Sequence, residues 1–80
     1  MNNKMIILDS IDKVNNFVRK ASQCKFEIDV TEGRFCVNGK SLLGVFSLNL
    51  LNPLTLHIYE EDEEKLAEHF KLFEEYFYNE

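Results

Sequence analysis

Apolar and polar positions alternate along this chain with two distinct periods, and the changes of period mark the predicted elements. Residues 4–8 form a short apolar run, which predicts a buried strand. Ser10, a favourable helix N-cap, follows this run. Apolar residues then recur at helical spacing over residues 11–22, which predicts a first amphipathic helix. Its expected buried stripe is Ile11, Val14, Phe17, Val18 and Ala21.

From Cys24 the apolar period changes to two, as in a half-buried strand. The dipeptide Glu32-Gly33 predicts a turn, after which Phe35 and Val37 continue the apolar face on a returning strand. We expect this hairpin to pair Val30 with Phe35 and Ile28 with Val37. In that arrangement Cys24 points inward and Cys36 points outward.

The second half of the chain predicts a short helix, a strand and a last helix. Residues 41–48 form the short helix, with Val45 and Leu48 as its expected buried stripe. Residues 54–58 alternate as a fourth strand after the Asn52-Pro53 turn. The acidic residues 60–64 suit a helix N-terminus, because the helix dipole favours negative charge there. The expected buried stripe of that last helix is Leu66, Phe70, Phe73 and Phe77.

The predicted order is therefore β-α-β-β-α-β-α, an α+β arrangement. Four strands can form one antiparallel sheet with the two long helices across one face. Residues 1–80 are too few for two separate cores, so we expect a single domain.

Composition and charge exclude several classes of function. The net charge of −5 and the lack of a Lys/Arg face argue against nucleic acid as a direct partner. No apolar run approaches the ~20 residues that cross a membrane, and residues 1–4 do not resemble a signal peptide, so we expect a cytoplasmic protein. We expect no disulfide between Cys24 and Cys36, because a cytosolic chain keeps thiols reduced and the predicted strands place the two side chains on opposite faces of the sheet. Neither cysteine has a CxxC or His-x-His partner, so we expect no metal, and nothing in the sequence suggests a cofactor.

One segment resembles a known family. Residues 40–48, KSLLGVFSL, are similar to the Lys-Ser-(Ile/Leu)-(Met/Leu)-Gly-Val-(Met/Leu)-Ser-Leu segment of Gram-positive HPr proteins, the phosphocarriers of the bacterial sugar phosphotransferase system. Residues 61–69 also resemble the start of the family's last helix. The resemblance covers nearly the whole chain and implies the HPr-like open-faced sandwich, which agrees with the element order derived from the periods.

The chain departs from this family at the phosphocarrier site. HPr proteins carry the phosphoryl group on a His at the start of the first helix, followed closely by an Arg and a Pro. Counting back from Ser41, those positions fall on Ser10, Asp12 and Lys13, and residues 1–56 contain no His. We therefore expect no phosphocarrier activity. We expect His57 and His69 on the surface, because neither has a carboxylate or Cys at a spacing that suggests catalysis or metal binding, and nothing else suggests an enzyme.

Ser41 has two interpretations. As an N-cap it would begin the short helix. The resemblance implies in addition that an HPr-type kinase phosphorylates it, as in paralogues that lack the His and act with a transcriptional regulator in catabolite repression. Both roles can coexist, because a helix N-terminus accepts a phosphate. We expect Lys40 to screen part of that charge.

Leu42, Leu43 and Phe46 are the candidate partner-binding residues. Residues 42–51 hold more apolar side chains than a short helix can bury, and exposed apolar patches usually mark contacts. The resemblance implies docking of other proteins, and self-association into a homodimer is the alternative. The sequence thus predicts a regulatory or protein-binding module. The alternative is an accessory protein that docks phosphotransferase-system enzymes without relaying phosphate.

Overall fold

The protein is described by a computed structural model covering residues 2–79. Within that range the regular elements follow the predicted order β-α-β-β-α-β-α. They are β1 (Asn3–Ile6), α1 (Ile11–Ser22), β2 (Ile28–Glu32), β3 (Phe35–Asn38), α2 (Leu42–Phe46), β4 (Leu54–Ile58) and α3 (Glu63–Lys71), and a 3₁₀ turn, Glu74–Tyr76, follows α3. No helix in residues 2–79 is long and apolar enough to cross a membrane.

The strands form one antiparallel sheet in the order β1-β4-β2-β3. The helices cover one face, and the core lies between them and the sheet, as the open-faced sandwich requires. β4 occupies a central position, so its apolar residues Leu54, Leu56 and Ile58 are fully buried while Thr55 and His57 face the open side. The alternation of β4 and its bounds are those the sequence predicts.

α1 also has the predicted bounds, and Ser10 caps it. The Ser10 Oγ accepts a hydrogen bond from the Lys13 N–H (3.1 Å), which satisfies one of the free N–H groups of the first turn. Four of the five residues of the expected stripe are buried, but Ile11 is 68% exposed. The prediction for Ile11 is wrong because the first turn of α1 extends past the edge of the core.

The hairpin is shifted by two residues from the predicted register. Its loop is Gly33-Arg34, where Gly33 adopts φ +60°, and β2 pairs Glu32 with Phe35 and Val30 with Val37. Because side chains alternate between the faces of a strand, a shift of two residues keeps every side chain on its predicted face. Phe35 is nevertheless 62% exposed, because it lies at the end of an edge strand beyond the covering helices.

β2 begins at Ile28, four residues later than predicted. Cys24 instead continues the turn after α1, where its N–H donates to the Ala21 carbonyl (3.0 Å) and its Sγ to the Lys20 carbonyl (3.4 Å). Phe26 stacks on the His69 ring with centroids 3.9 Å apart. Cys24 and Phe26 precede the sheet but still pack against the core. Because they are two residues apart, their apolar pattern is the same as that of a half-buried strand.

β1 and the end of the chain differ most from prediction. β1 is an edge strand whose residues are exposed except Ile6, not a buried strand over residues 4–8. The predicted last helix ends at Lys71. The Ile7 N–H then donates to the Tyr76 carbonyl (2.8 Å) and the Tyr78 N–H to the Met5 carbonyl (2.9 Å), so the chain end covers the edge of β1. This pairing buries Tyr76 and leaves Phe77 half-buried.

Candidate interaction surface on α2

Ser41 is the N-cap of α2. Its Oγ accepts a hydrogen bond from the Gly44 N–H (3.0 Å), and its backbone carbonyl accepts from Val45 (3.0 Å). A Cβ at Gly44 would lie 3.0 Å from the Ser41 Oγ and 3.2 Å from the Val37 Cβ, so glycine is what lets α2 approach β3 this closely. The capping role predicted for Ser41 is confirmed, and its side chain is half-buried.

The ammonium of Lys40, the residue before Ser41, has a hydrogen-bond partner of its own. It donates to the Cys24 carbonyl (2.8 Å), which ties the start of α2 to the turn after α1. The Lys40 backbone N–H donates to the Asn38 side-chain oxygen (2.8 Å). The Cys24 carbonyl carries no formal charge, so the screening of a phosphate on Ser41 by Lys40 remains a prediction.

The side chains of α2 face the core or the exterior as the sequence predicts, although the helix ends at Phe46 and not at residue 48. Val45 is fully buried and Leu48 nearly so. Leu43 is 84% exposed, whereas Leu42 and Phe46 are 40% and 38% exposed and partly rest on the molecule. Ser47 ends the helix, since its Oγ donates to the Gly44 carbonyl (2.6 Å) and its N–H to the Leu43 carbonyl (3.0 Å).

The structure adds to this exposed surface two residues that the sequence pattern does not place there. Ile11, at the start of α1, and Leu51, which is 92% exposed, meet Phe46 around an open groove of about 380 Å³. We call this surface the α2 face and define it as the exposed side chains of Ile11, Leu42, Leu43, Phe46 and Leu51. Leu51 could have been found from its place in the apolar run, whereas Ile11 joins only through the packing of α1 on α2.

No formal charge lies in the segment that builds most of this face. Residues 41–59 contain no Asp, Glu, Lys or Arg, although these make up 29% of the chain. β4 accounts for the buried part of this run, but residues 41–53 include the exposed Leu43 and Leu51. The α2 face is therefore both apolar and uncharged, which is typical of the desolvated core of a protein contact.

Asp9 and Ser10, which precede α1, line the same groove, and the charge of Asp9 is paired with that of Lys13. The Lys13 ammonium lies 2.9 Å from the Asp9 carboxylate, and this hydrogen bond holds the pKa of Asp9 below its ordinary value. Asp12 lies in the first turn, where the helix dipole favours it. Ser10 is occupied as the N-cap, so this helix start presents a hydroxyl and two carboxylates but no imidazole.

The two histidines lie on other elements. On the open side of β4, the His57 Nε2 is 3.4 Å from the Thr31 Oγ1. His69, on α3, is half-buried, stacks on Phe26 and has its Nε2 3.1 Å from the Glu60 Oε1. The prediction that His69 is exposed is wrong, because Phe26 stacks on its ring and the loop before α3 folds Glu60 back over it.

Glu60 has two partners of different kinds. One carboxylate oxygen accepts from the Asp62 N–H (3.2 Å) and the other contacts His69. The Asp62 N–H, and then His69, lower the pKa of Glu60. The arrangement fastens the loop before α3 to the helix.

Cys36 and Tyr59 both lie beside the Asp29 carboxylate. Desolvation, and then the neighbouring Asp29 carboxylate, raise the pKa of the exposed Cys36 thiol above its ordinary value. The Tyr59 hydroxyl donates to Asp29 (2.8 Å), and this bond raises the pKa of Tyr59. Across residues 2–79 no three His, Cys, Asp or Glu side chains converge as metal ligands.

Comparison with known proteins identifies the fold. Neither a protein-family model nor a curated protein matches the chain. A crystal structure of HPr-C-His from Thermoanaerobacter tengcongensis is similar over 100% of this chain and 99% of its own, with a TM-score of 0.72 and 27% identity. HPr from Bacillus anthracis str. Ames is similar over 84% and 86%, with a TM-score of 0.62 and 22% identity.

A third similar structure is an HPr dimer from Thermoanaerobacter tengcongensis. It matches 78% of this chain and 75% of its own, with a TM-score of 0.58 and 29% identity. The three structures agree with the element order, the antiparallel sheet and the placement of the helices on one face. The chain therefore has the HPr-like fold, and its structural neighbours are HPr phosphocarrier proteins.

Proposed function

We propose that this chain is a non-catalytic HPr-like protein that has lost the phosphocarrier site and works as a regulatory or protein-binding module. The observation that carries the proposal is the α2 face, an uncharged apolar surface exposed on a fold whose neighbours are phosphocarrier proteins. Burying such a surface against another protein gains roughly 25 cal/mol for each Å² removed from water. A surface kept apolar in this way fits a contact with a protein better than a role in catalysis.

The start of α1 supports the loss of the carrier site. A phosphoryl relay of the HPr type uses an imidazole, because the phosphoramidate it forms passes its phosphoryl group on readily, whereas a serine phosphate is a stable ester. Ser10 stands at the matching position, and its Oγ accepts from the Lys13 N–H. Asp12 adds a negative charge in the same turn, where it would repel an incoming phosphoryl group.

Ser41 is the proposed control point of the module. Phosphorylation would add a charge of about −1.5 to −2. That charge would lie next to Leu42 and Leu43 and change an uncharged face into an anionic one. The Gly44 N–H that now donates to the hydroxyl would be available to the phosphate. The modified face would then favour a basic partner and disfavour an acidic one.

Incubation with an HPr-type kinase and ATP tests the control point. We expect one phosphate on Ser41, its loss in Ser41→Ala, and its retention in the matched variant Ser47→Ala at the other end of α2. Genuine HPr in the same tube shows that the kinase is active. If HPr is labelled while this chain stays unmodified, Ser41 is a helix cap and the regulatory part of the proposal is wrong.

A second reaction tests the loss of the carrier site. With phosphoenolpyruvate and the enzyme that charges HPr, we expect no acid-labile, base-stable phosphate on this chain while HPr acquires it. Phosphohistidine on His57 or His69 would contradict the proposal. Because the two reactions use different donors and enzymes, each part of the proposal can fail by itself.

A further inference from the structure

A groove lies along α3 on the side of the molecule where the end of the chain covers β1. Its volume is about 430 Å³, and seven side chains from β1, α3 and the chain end line it. None of the seven belongs to the α2 face. Sites for small molecules usually measure roughly 300–1,000 Å³. The groove is thus large enough for a small ligand, and it is separate from the surface that carries the proposed function.

Four of the seven side chains are apolar. Those from α3 are Leu66, Ala67 and Phe70, of which Ala67 is exposed and the other two are nearly buried. The fourth is Phe77, which is half-buried in the chain end, where its backbone pairs with Ile6. An apolar ligand in this groove would remove its own surface and part of Phe77 from water, which favours binding.

The other three side chains are charged, and they are Lys4, Glu63 and Lys71. Lys71 ends α3, where the helix dipole favours a cation, but Lys4 comes from β1 and is not explained in this way. Within residues 2–79 neither ammonium forms an ion pair with a carboxylate. The Lys4 ammonium lies 5.8 Å from the centre of the Phe77 ring. The groove therefore presents two unpaired positive charges beside an apolar surface.

The positive charge of the groove is local. Residues 60–80 hold nine of the fourteen Asp and Glu residues and only two of the nine Lys and Arg residues. A neighbouring groove of about 670 Å³ is lined by the carboxylates of Glu60, Glu61 and Glu63. The groove of 430 Å³ instead carries two ammonium groups and one carboxylate, a net charge of +1. It therefore attracts an anionic group towards its lysines and repels it from Glu63.

We propose that this groove, the α3–β1 groove, binds an amphipathic monocarboxylate, a molecule with an unbranched apolar chain and one anionic end. Glu63 and Lys71 are the first and last residues of α3, about 12 Å apart along the helix axis. A groove lined by both is elongated, which suits an extended chain. Its net charge of +1 matches a single carboxylate, whereas a phosphate monoester carries about −1.5 to −2. The chain lies on Phe70 and Phe77, and the carboxylate faces the two lysines.

The net charge of the whole molecule favours a small anion over a macromolecule as the occupant. A chain of net charge −5 repels an anionic membrane surface or a strongly acidic protein, whose many charges approach many of its carboxylates. A monocarboxylate brings only one charge, and inside the groove that charge meets the two lysines. The inference goes beyond the proposed function and does not depend on it, because the α2 face contributes nothing to the α3–β1 groove.

Titration of the ¹⁵N-labelled full chain with decanoate at pH 7, followed by NMR, tests the proposal. We expect the amides of Ala67, Lys71 and Phe77 to shift together, with a dissociation constant of roughly 1 mM. The amides of Leu43 and Leu51 on the α2 face should shift little. Decylammonium has the same chain and the opposite charge. It should bind the α3–β1 groove at least fivefold more weakly than decanoate, although the acidic protein as a whole attracts cations.

Substitutions of charge locate the carboxylate. Lys4→Gln and Lys71→Gln should each weaken decanoate binding roughly two- to fivefold, the range expected for loss of one exposed ion pair. Lys65→Gln is the matched control, since Lys65 is exposed on the same helix but does not line the groove. Glu63→Gln should tighten binding by removing the repelling charge, whereas Glu64→Gln, outside the groove, should leave it unchanged.

A substitution of shape tests the apolar part of the groove. Ala67→Trp should fill the groove and weaken decanoate binding at least tenfold. Because Ala67 is exposed on α3, the variant should fold, and circular dichroism melting verifies that it and the charge variants do.

Four results would overturn the inference. The first is decylammonium binding as tightly as decanoate, and the second is equal weakening by Lys65→Gln and Lys71→Gln. The third is unaltered decanoate binding by folded Ala67→Trp. The fourth is sedimentation with anionic phospholipid vesicles without any response to decanoate, which would make a membrane the occupant. None of these results affects the kinase and relay reactions, so failure of this inference is distinguishable from failure of the proposed function.

Discussion

Phe70 and Leu43 are both large apolar residues on helices, yet the fold buries one and exposes the other. Phe70 is 5% exposed beneath the sheet, whereas Leu43 projects from α2. We expect Phe70→Ala to lower the free energy of unfolding by about 3–5 kcal/mol, because it removes a buried ring and leaves a cavity. Leu43→Ala should change it by less than about 0.5 kcal/mol. Urea denaturation of the monomeric protein measures both.

Phe46 lies between these cases. The sequence pattern places it outward, but at 38% exposure it still rests partly on the molecule. Phe46→Ala should therefore cost more stability than Leu43→Ala and less than Phe70→Ala. If Phe46→Ala or Leu43→Ala melts as low as Phe70→Ala, α2 is turned the other way and the assignment of the α2 face fails.

Glu60 gives the stability of the protein a specific dependence on pH. Its pKa is lowered in the folded state by the Asp62 N–H and by His69, so its contribution is complete at neutral pH. The contribution is lost as pH falls below the ordinary Glu value of about 4.3 and through the lower folded-state value. We expect Glu60→Gln to flatten the fall of the denaturation midpoint between about pH 5 and pH 3.

Glu64→Gln provides the comparison for that experiment. It removes an equal charge from the exposed first turn of α3 but leaves the contacts of Glu60 with Asp62 and His69 unchanged. We expect it to keep the pH profile of the unaltered protein. Identical pH profiles for Glu60→Gln and Glu64→Gln would show that the Glu60 contacts do not contribute to the pH dependence of stability.

Among the elements, the segment after α3 depends most on contacts distant in sequence. The Lys20 ammonium, near the end of α1, donates to the Leu72 carbonyl and to the Glu75 carboxylate, both at 2.8 Å. It also lies 5.6 Å from the centre of the Tyr76 ring. These contacts hold the segment where the Ile7 and Tyr78 amides can bond across the edge of β1.

Loss of the Lys20 contacts should therefore loosen the cover of β1. We expect Lys20→Ala to increase hydrogen exchange at the Ile7 and Tyr78 amides several-fold while β4 amides stay protected. Lys13→Ala, which removes the exposed ion pair with Asp9 on the same helix, should not affect those two amides. Unchanged exchange at Ile7 and Tyr78 in Lys20→Ala would mean that backbone pairing alone holds the segment.

The elements also differ in how well the sequence predicts them. α1 has a clear N-cap in Ser10 and four buried residues at helical spacing, and β4 alternates without interruption, so local signals define both. β1 and the end of α3 lack such signals. Their bounds are set by hydrogen bonds between residues some seventy positions apart, which no local period contains.

At the scale of the whole molecule, the sequence predicts the exposure of some residues of the α2 face, whereas the position of others depends on tertiary packing. The exposure of Leu42, Leu43 and Phe46 was predicted because residues 42–51 are more apolar than one side of a short helix can accommodate. Helical spacing assigns Ile11 to the buried stripe of α1, but it does not say where the core ends. Only the packing of α1 on α2 brings Ile11 beside Phe46 and Leu51 to complete the α2 face.

The sequence by itself determined the element order, the faces of the strands, the caps at Ser10 and Ser41 and the outward position of Leu43. Each of these follows from the local period or from a side chain bonding to its own backbone, within a few residues. The tertiary structure alone decided the hairpin register, the Glu60–His69–Phe26 contact, the cover of β1 and the groove on the α2 face. These four features depend on which surfaces remain unpaired once the sheet has formed, and only the folded chain defines those surfaces.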